Sequence, residues 1–598
     1  MKKILALMLA LALCLSMVAC GGEKKGEAGT LSVCLASEPD TLDPALNSAV
    51  DGATMVAHLF SGLAKWAQDE SGKLVIVADS AKELVEGVAN EDGTVTYTYT
   101  LKDGLKWSDG KDVTAGDFVF AWNRAASPAL AADYNYMFDV VKGYAEMWET
   151  DESGETFVNP DAKLAVEATD DKTLVITLNN AVAYWNELLA FPTYFPVRED
   201  VVSNEAWATD PATYVCNGPY TMTGWEHDSL ITLTKNANYV DAASVKLETL
   251  KCYLSDDANN MLTNFENGDW QMIDDVPTAE MAALEEKYPT AYRVVGQIGT
   301  YYVNWNVNEE ILPESCKLTG VEAENARAEI RAALGLLYDR AYVCEEIAQG
   351  GQVPASSFVA MGMTEPDGTE FYKNAGSNDA FDGYYDVAAI EANFNAAVET
   401  LKKYYTWDGA KFTDFPSITY LYNTNDAHKA IGEYLAGALS AVGITMNLEN
   451  QEWNTFLNTR KNGDYSVARN GWVADYNDPI CFLDMWTTVS GNNDVQFGKG
   501  AHAKLKMYDL DLTALGYDVK VEDGTWAETY DVLISKIKSE TDNVKRYQLM
   551  HVAEDLLMST GCITPLYYYT DIFMIKDNVE GFFCNPLGYK YFMYCTTK

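Results

Sequence analysis

The order of apolar and polar residues changes period along the chain, and each change marks an element. In 93–104, GTVTYTYTLKDG, the residues Val95, Tyr97, Tyr99 and Leu101 alternate with Thr and Lys, which predicts a half-buried strand. LVITLN, 174–179, predicts another. VTAGDFVFAWNRAAS, 113–127, opens a helix that Thr114 can cap, with Asp117 three residues on suited to the positive helix N-terminus. The 323–351 stretch predicts a long helix pair stopped at Gly350-Gly351. Residues 429–450 predict helix, Gly443, then strand, and 529–561 is nearly all helical pattern, ending near Gly561.

Strand-like runs mixed with amphipathic helices place the chain in the α/β class. Its 598 residues are too many for one core, so two or three domains are expected. There is no repeat at solenoid periods and no low-complexity segment after residue 30. The acid-rich, weakly patterned stretches 146–172, 362–386 and 500–526 are expected to be surface insertions.

The N-terminus changes this picture. Lys2-Lys3 precede Ile4 to Val18, an apolar run of 15 residues, short of the roughly 20 that span a bilayer. This is the pattern of a secretory signal peptide, 1–19. It ends in MVACGGEKKGE, where Ala19-Cys20-Gly21 resembles the lipobox of bacterial lipoproteins, although Met17 is less usual there than Leu. The resemblance implies cleavage before Cys20, lipidation of that thiol and a flexible tether over 20–30, with ordinary cleavage and a free Cys20 as the alternative. Beyond Cys14 and Cys20, nine cysteines remain and no CxxC occurs, which argues against a dense disulfide framework.

Composition narrows the partners. The net charge is −45, from 43 basic and 88 acidic residues, which excludes nucleic acid as a partner because phosphate backbones need clustered Lys and Arg. Tyr outnumbers the other aromatics, 37 against 21 Phe and 14 Trp. Such a surplus suits wet, half-buried surfaces that hold polar ligands, and equally suits ordinary sheet faces. No GxSxG, HExxH, GxGxxG or Walker loop is present, and the five His carry no metal-ligand spacing, so neither an enzyme nor a cofactor or metal is expected. Acid pairs such as Asp256-Asp257 and Asp274-Asp275 could serve as glycosidase carboxylates, but among 88 acids adjacent pairs arise by chance.

One stretch stands out chemically. In RNGWVADYNDP, 469–479, Asp475 lies between Trp472 and Tyr476, with Arg469 six residues upstream. A carboxylate among aromatics needs a cation partner, since an unpaired buried charge is costly. The partner could be a ligand or Arg469 itself, or Asp475 could simply be a turn residue, because DYNDP is rich in turn formers.

SEPDTLDP (37–44), LFSGL (59–63), LKDGLKWSDGKDVTAGDFVFAWNR (101–124), NGPYTMTGW (217–225), RAALGLLYDR (331–340), RNGWVADYNDP (469–479) and ITPLYYYT (563–570) occur in this order. Together they resemble the oligopeptide-binding proteins of ABC transporters, in the large extracellular solute-binding class of peptide/nickel type. The resemblance implies a two-lobed, periplasmic-binding-protein-like α/β fold of three domains with hinge closure. A discontinuous first lobe would comprise 31–62, 185–298 and 563–598, an extra domain 63–184, and a second lobe 299–562. It further implies an extracytoplasmic monomer, lipid-anchored through Cys20 at the cell surface of a Gram-positive bacterium or in the periplasm otherwise. That monomer would deliver extended oligopeptides to permease subunits.

By the same resemblance Asp475 would meet the peptide amine. Arg460, Arg469 and His428 would serve its C-terminal carboxylate, directly or through water. Trp472 would wall a side chain, and Tyr134, with Tyr136 as alternative, would touch the ligand. Relatives can carry a Glu near the position of Ser48, facing a side-chain pocket; its absence here removes the ground for expecting a preference for basic peptides. Related folds take nickel chelates, haem, oligosaccharides or opines, and a surface receptor or chaperone without import is a third class; the amine-binding aspartate discriminates among the cargoes.

Overall fold

The computed structural model describes residues 29–150, 156–159, 161–373, 384–503, 510–521 and 524–598. The signal segment and Cys20 lie outside these residues. A mixed sheet of eleven strands organises the molecule. In chain order these are β1 (Thr30–Ala36), β2 (Tyr220–Glu226), β3 (Leu230–Lys235), β4 (Thr249–Leu254), β5 (Met272–Ile273), β6 (Tyr292–Trp305), β7 (Val353–Pro354), β8 (Ile418–Asn423), β9 (Met446–Gln451), β10 (Val467–Val473) and β11 (Ile563–Ile575). Their spatial order is β2-β3-β4-β1-β5-β11-β6-β10-β8-β9, with β7 added on β11.

Two strands join the halves of this sheet. β6 has 14 residues and β11 has 13, long for globular strands. They run antiparallel from Tyr292↔Met574 to Asn304↔Ile563. At one end β11 pairs with β5, and at the other β6 pairs with β10. The register breaks between Gly296 and Thr300, midway along the pair. Gly299 is required there, because a Cβ would stand 2.6 Å from the Tyr569 ring and 2.9 Å from the Trp472 carbonyl. A sheet that narrows to two strands, with a bulge in one of them, bends most easily at that point.

The period-based expectations hold with local shifts. The 113–127 stretch forms the helix Ala115–Ala126, and the Asp117 carboxylate accepts from the Thr114 amide at 2.8 Å and hydroxyl at 3.2 Å. Val95–Thr100 and Thr173–Leu178 are central in a separate four-stranded antiparallel sheet. The 146–172 stretch departs from its reading as an insertion, since Val166–Asp170 is an edge strand of that sheet. Parts of all three acid-rich stretches fall outside the described residues. The helix expected from 323 begins at Gly320 and ends at Gly335, and a π-turn over Val343–Ala348 replaces most of its partner. That turn stops at Gln349, φ 55°, one residue ahead of the glycines. Residues 429–450 form the helix Asp426–Ala441 and β9, a crossover joining parallel strands, with Gly443 at φ 88°. The 529–561 run splits into Trp526–Ser539 and Asn543–Ser559, because Asp542 caps the second helix through the amides of Val544 and Lys545.

The segment 133–139, beside the four-stranded sheet, reaches across to the β6–β9 half. Lys461 pairs with Asp133, and Lys538 bridges Asp139 at 2.6 Å and Asp484 at 2.8 Å. Tyr184 stacks on Tyr476 with ring centroids 4.5 Å apart. These contacts hold the two sides together around an internal cavity. All nine cysteines beyond Cys20 are free, and seven are buried. Among the described residues no helix is long and apolar enough to cross a membrane.

Candidate functional site

The cavity has a volume of about 450 Å³, within the range of small-ligand sites. Tyr134, His428, Arg460, Arg469, Trp472 and Asp475 all line it, although they are scattered over some 340 residues of chain. β10 supplies the main wall. It pairs with β6 over its whole length, but with β8 only at Tyr420↔Val467 and Leu421↔Ala468. From Arg469 onward its outer edge has no partner strand among the described residues and borders the cavity. Gly471 is needed there, since a Cβ would lie 2.1 Å from the Tyr569 hydroxyl.

Asp475 follows the end of β10 and is 8% exposed. The Tyr134 hydroxyl donates to its Oδ1 at 3.0 Å, while its buried Oδ2 has no hydrogen-bond partner among the described residues. Burial raises its pKa well above the ordinary carboxylate range; the Tyr134 bond opposes this and Asp484 adds to it. Arg469 does not pair with it. The Arg469 Nε donates to Asn423 Oδ1 at 2.7 Å, and the guanidinium lies over the rings of Phe456 and Trp453 at 5.4 and 5.5 Å. No carboxylate pairs with this buried cation among the described residues.

Arg460 differs. Its Nε lies 2.7 Å from Asp494 Oδ2, an ion pair too bent to count as a hydrogen bond. Its charge is therefore already matched inside the protein. His428 sits in the first turn of the helix Asp426–Ala441, with Asn425 as cap and its Nδ1 3.4 Å from the Tyr301 hydroxyl. Burial and the nearby Arg469 lower its pKa well below the ordinary value, so the ring is neutral and offers hydrogen bonds rather than charge. Trp472 packs in the core and lines the cavity, its indole N–H donating to the Cys481 carbonyl at 2.9 Å. Tyr134, rather than Tyr136, reaches Asp475; Tyr136 is buried beside it with ring centroids 6.1 Å apart.

Other residues that line the cavity were not read as ligand groups in sequence: Asp51, Asp274, Asp275, Asp571, Tyr569 and Lys590. Lys590, 3% exposed, lies 2.7 Å from Asp274 and 2.9 Å from Asp571. The adjacent acids Asp274-Asp275 were the visible signal, but adjacency alone does not separate them from Asp256-Asp257, of which Asp257 merely caps the helix Ala258–Asn267. Ser48 reaches Lys461 at 2.5 Å. Among the described residues no group of His, Cys, Asp and Glu is arranged to hold a metal.

The family model for bacterial extracellular solute-binding proteins, family 5 Middle, matches residues 79–494. The chain is 31% identical over 618 residues to the oligopeptide-binding protein OppA of Bacillus subtilis, covering 99% of each chain. It is 28% identical over 609 residues to the dipeptide-binding protein DppE of the same organism, covering 98% of each. Among solved structures, Listeria monocytogenes OppA bound to peptide superposes with a TM-score of 0.74 at 25% identity, covering 96% of this chain and all of that one. A family match over most of the chain and a full-length relative above 30% identity lead to one conclusion: the chain belongs to the family-5 bacterial extracellular solute-binding proteins.

Proposed function

We propose that this protein captures oligopeptides in extended form in the cavity and delivers them to the permease of an ABC transporter. The observation that carries the reading is a pair of buried ionisable groups, Arg469 on β10 and Asp475 just past its end, that lack an ionic partner among the described residues. Among the described residues Asp475 has an oxygen without a donor, and Arg469 has no carboxylate. A zwitterionic peptide brings an ammonium and a carboxylate, which complete both. Between them the free edge of β10 offers main-chain groups to a ligand strand, a mode of recognition indifferent to side chains. Chelates and sugars bring no α-ammonium for Asp475. The names of the Bacillus relatives and the peptide-bound Listeria structure support the same cargo.

In this reading 31–62, 185–298 and 563–598 form one lobe, 63–184 an added domain and 299–562 the other lobe. The lobes open about the β6–β11 pair, and the 133–139 contacts belong to the closed state. Cys20 carries the lipid that holds a monomer at the outer face of the cell membrane, leaving the lobes free to move.

Calorimetry with a peptide and its N-acetylated form tests the amine contact. The free peptide is expected to bind wild type about 30-fold to several thousandfold more tightly than Asp475→Asn, the cost of breaking a buried charge pair. Acetylation should abolish most of that difference. Equal affinity of the free peptide for both proteins would refute the assignment.

A further inference from the structure

Arg460 and Arg469 share one aromatic ring. Their guanidiniums lie 4.9 and 5.4 Å from the centroid of Phe456, and both residues line the cavity. Two open cations this close would give the C-terminal carboxylate of a peptide two places to bind. With the amine on Asp475, each place would suit a different peptide length. The two cations are not equally open. Arg469 is held by the side chain of Asn423, whose amide oxygen accepts a hydrogen bond and brings no net charge.

Arg460 is held by a carboxylate. Asp494, 4% exposed, has its Oδ2 2.7 Å from Arg460 Nε, and the same oxygen accepts from Asn470 Nδ2 at 3.0 Å. Its Oδ1 is buried without a hydrogen-bond partner among the described residues. Asp494 itself lines the cavity. A second carboxylate brought to Arg460 therefore meets a negative charge already in place, and like charges repel strongly where little water screens them. The main chain at 494 is fixed independently of that carboxylate. The Tyr465 hydroxyl and the Gln496 side-chain amide donate to its carbonyl at 2.8 and 3.3 Å.

We infer that Asp494 determines peptide length: by neutralising Arg460 it confines the C-terminal carboxylate of the bound peptide to Arg469. The inference rests on the peptide reading and deepens it, since it replaces a cavity open to several lengths with one that anchors a single length at both ends. Peptides of other lengths still pair their main chain with β10, but their carboxylate finds no unmatched cation. Asp494 acts here through Arg460 and is a positioning residue.

Calorimetry on the full chain with a series of short alanine peptides of increasing length, each as the free acid and as the C-terminal amide, tests this. In wild type the acid is expected to bind about tenfold more tightly than the amide at one length only, the scale of a charge-assisted hydrogen bond. In Asp494→Asn a second length should gain a similar advantage, because Arg460 is released. In the double variant Asp494→Asn, Arg460→Gln that second advantage should vanish, which a general loosening of the cavity would not produce. Similar advantages at two or more lengths in wild type would overturn the inference, and that comparison requires no variant to fold. A single favoured length that stays single in Asp494→Asn would also overturn it, by assigning the length rule to another group. Peptide binding with no acid advantage at any length would overturn it and leave peptide capture standing. No binding of any peptide would overturn the peptide reading and this inference with it.

Discussion

Asp475 and Asp478 lie three residues apart in one motif and have opposite surroundings. Asp478 accepts from both terminal nitrogens of Arg546, at 2.8 and 2.7 Å, and also caps the turn Pro479–Phe482 through the Ile480 amide at 3.1 Å. Asp475 has one tyrosine hydroxyl and an unmatched oxygen. Both are buried. The difference separates a carboxylate completed inside the protein from one whose hydrogen bonding is incomplete among the described residues. A bidentate arginine fork completes a carboxylate geometrically and electrically, so Asp478 has nothing left to offer a ligand. In the function proposed above, the burial of Asp475 is a cost in the empty protein that a ligand cation removes.

The largest expected effect falls on the completed side. Arg546→Met leaves Asp478 buried without its counter-charge, and stability should drop by about 3–5 kcal/mol in a denaturant titration. An unchanged midpoint would mean that the Asp478 pair does not hold the fold, and the contrast would disappear.

A second test sharpens the same contrast among the cations. Arg469→Gln is expected to weaken binding of a free-acid peptide by about 1.5–3 kcal/mol, with little effect on its C-terminal amide. Arg460→Gln should instead lower stability, because Asp494 loses its partner. Equal effects of the two substitutions on the free acid and the amide would remove the distinction between matched and unmatched arginines.

The smallest effect is a pH dependence. A raised carboxyl pKa means that the folded, ligand-free protein holds a proton that the unfolded chain releases at about pH 3.9. The stability from Asp475 is therefore fully present below that value and is lost as pH rises through the folded pKa. Asp475→Asn has no such loss. The melting temperature of the variant should exceed that of wild type at pH 8, and the gap should narrow toward pH 5. A gap independent of pH would place Asp475 in a solvated or already neutralised setting.

Much of the site was legible from the chain. The seven ordered segments pointed to the family, and six residues named from their motifs converge on one cavity. Helix caps such as Thr114–Asp117 follow from local rules, because partners three residues apart meet in any helix. Residues whose role depends on a distant partner were not legible. Arg460 reads like Arg469 in sequence, and only the position of Asp494, 34 residues on, separates them. His428 reads as a base, and only burial beside Arg469 makes it neutral. Ser48 left no ground for expecting a carboxylate there, and only the fold shows that Asp51, three residues on, lines the cavity.

The sequence by itself determined the periods of the elements, the caps and turns, the family and the identity of the groups able to carry charge, because these depend on neighbours along the chain. Only the tertiary structure decided which charges are matched. Coulomb energy and desolvation depend on distance and burial in space, and Asp478 meets Arg546 across 68 residues while Asp475 meets Tyr134 across 341.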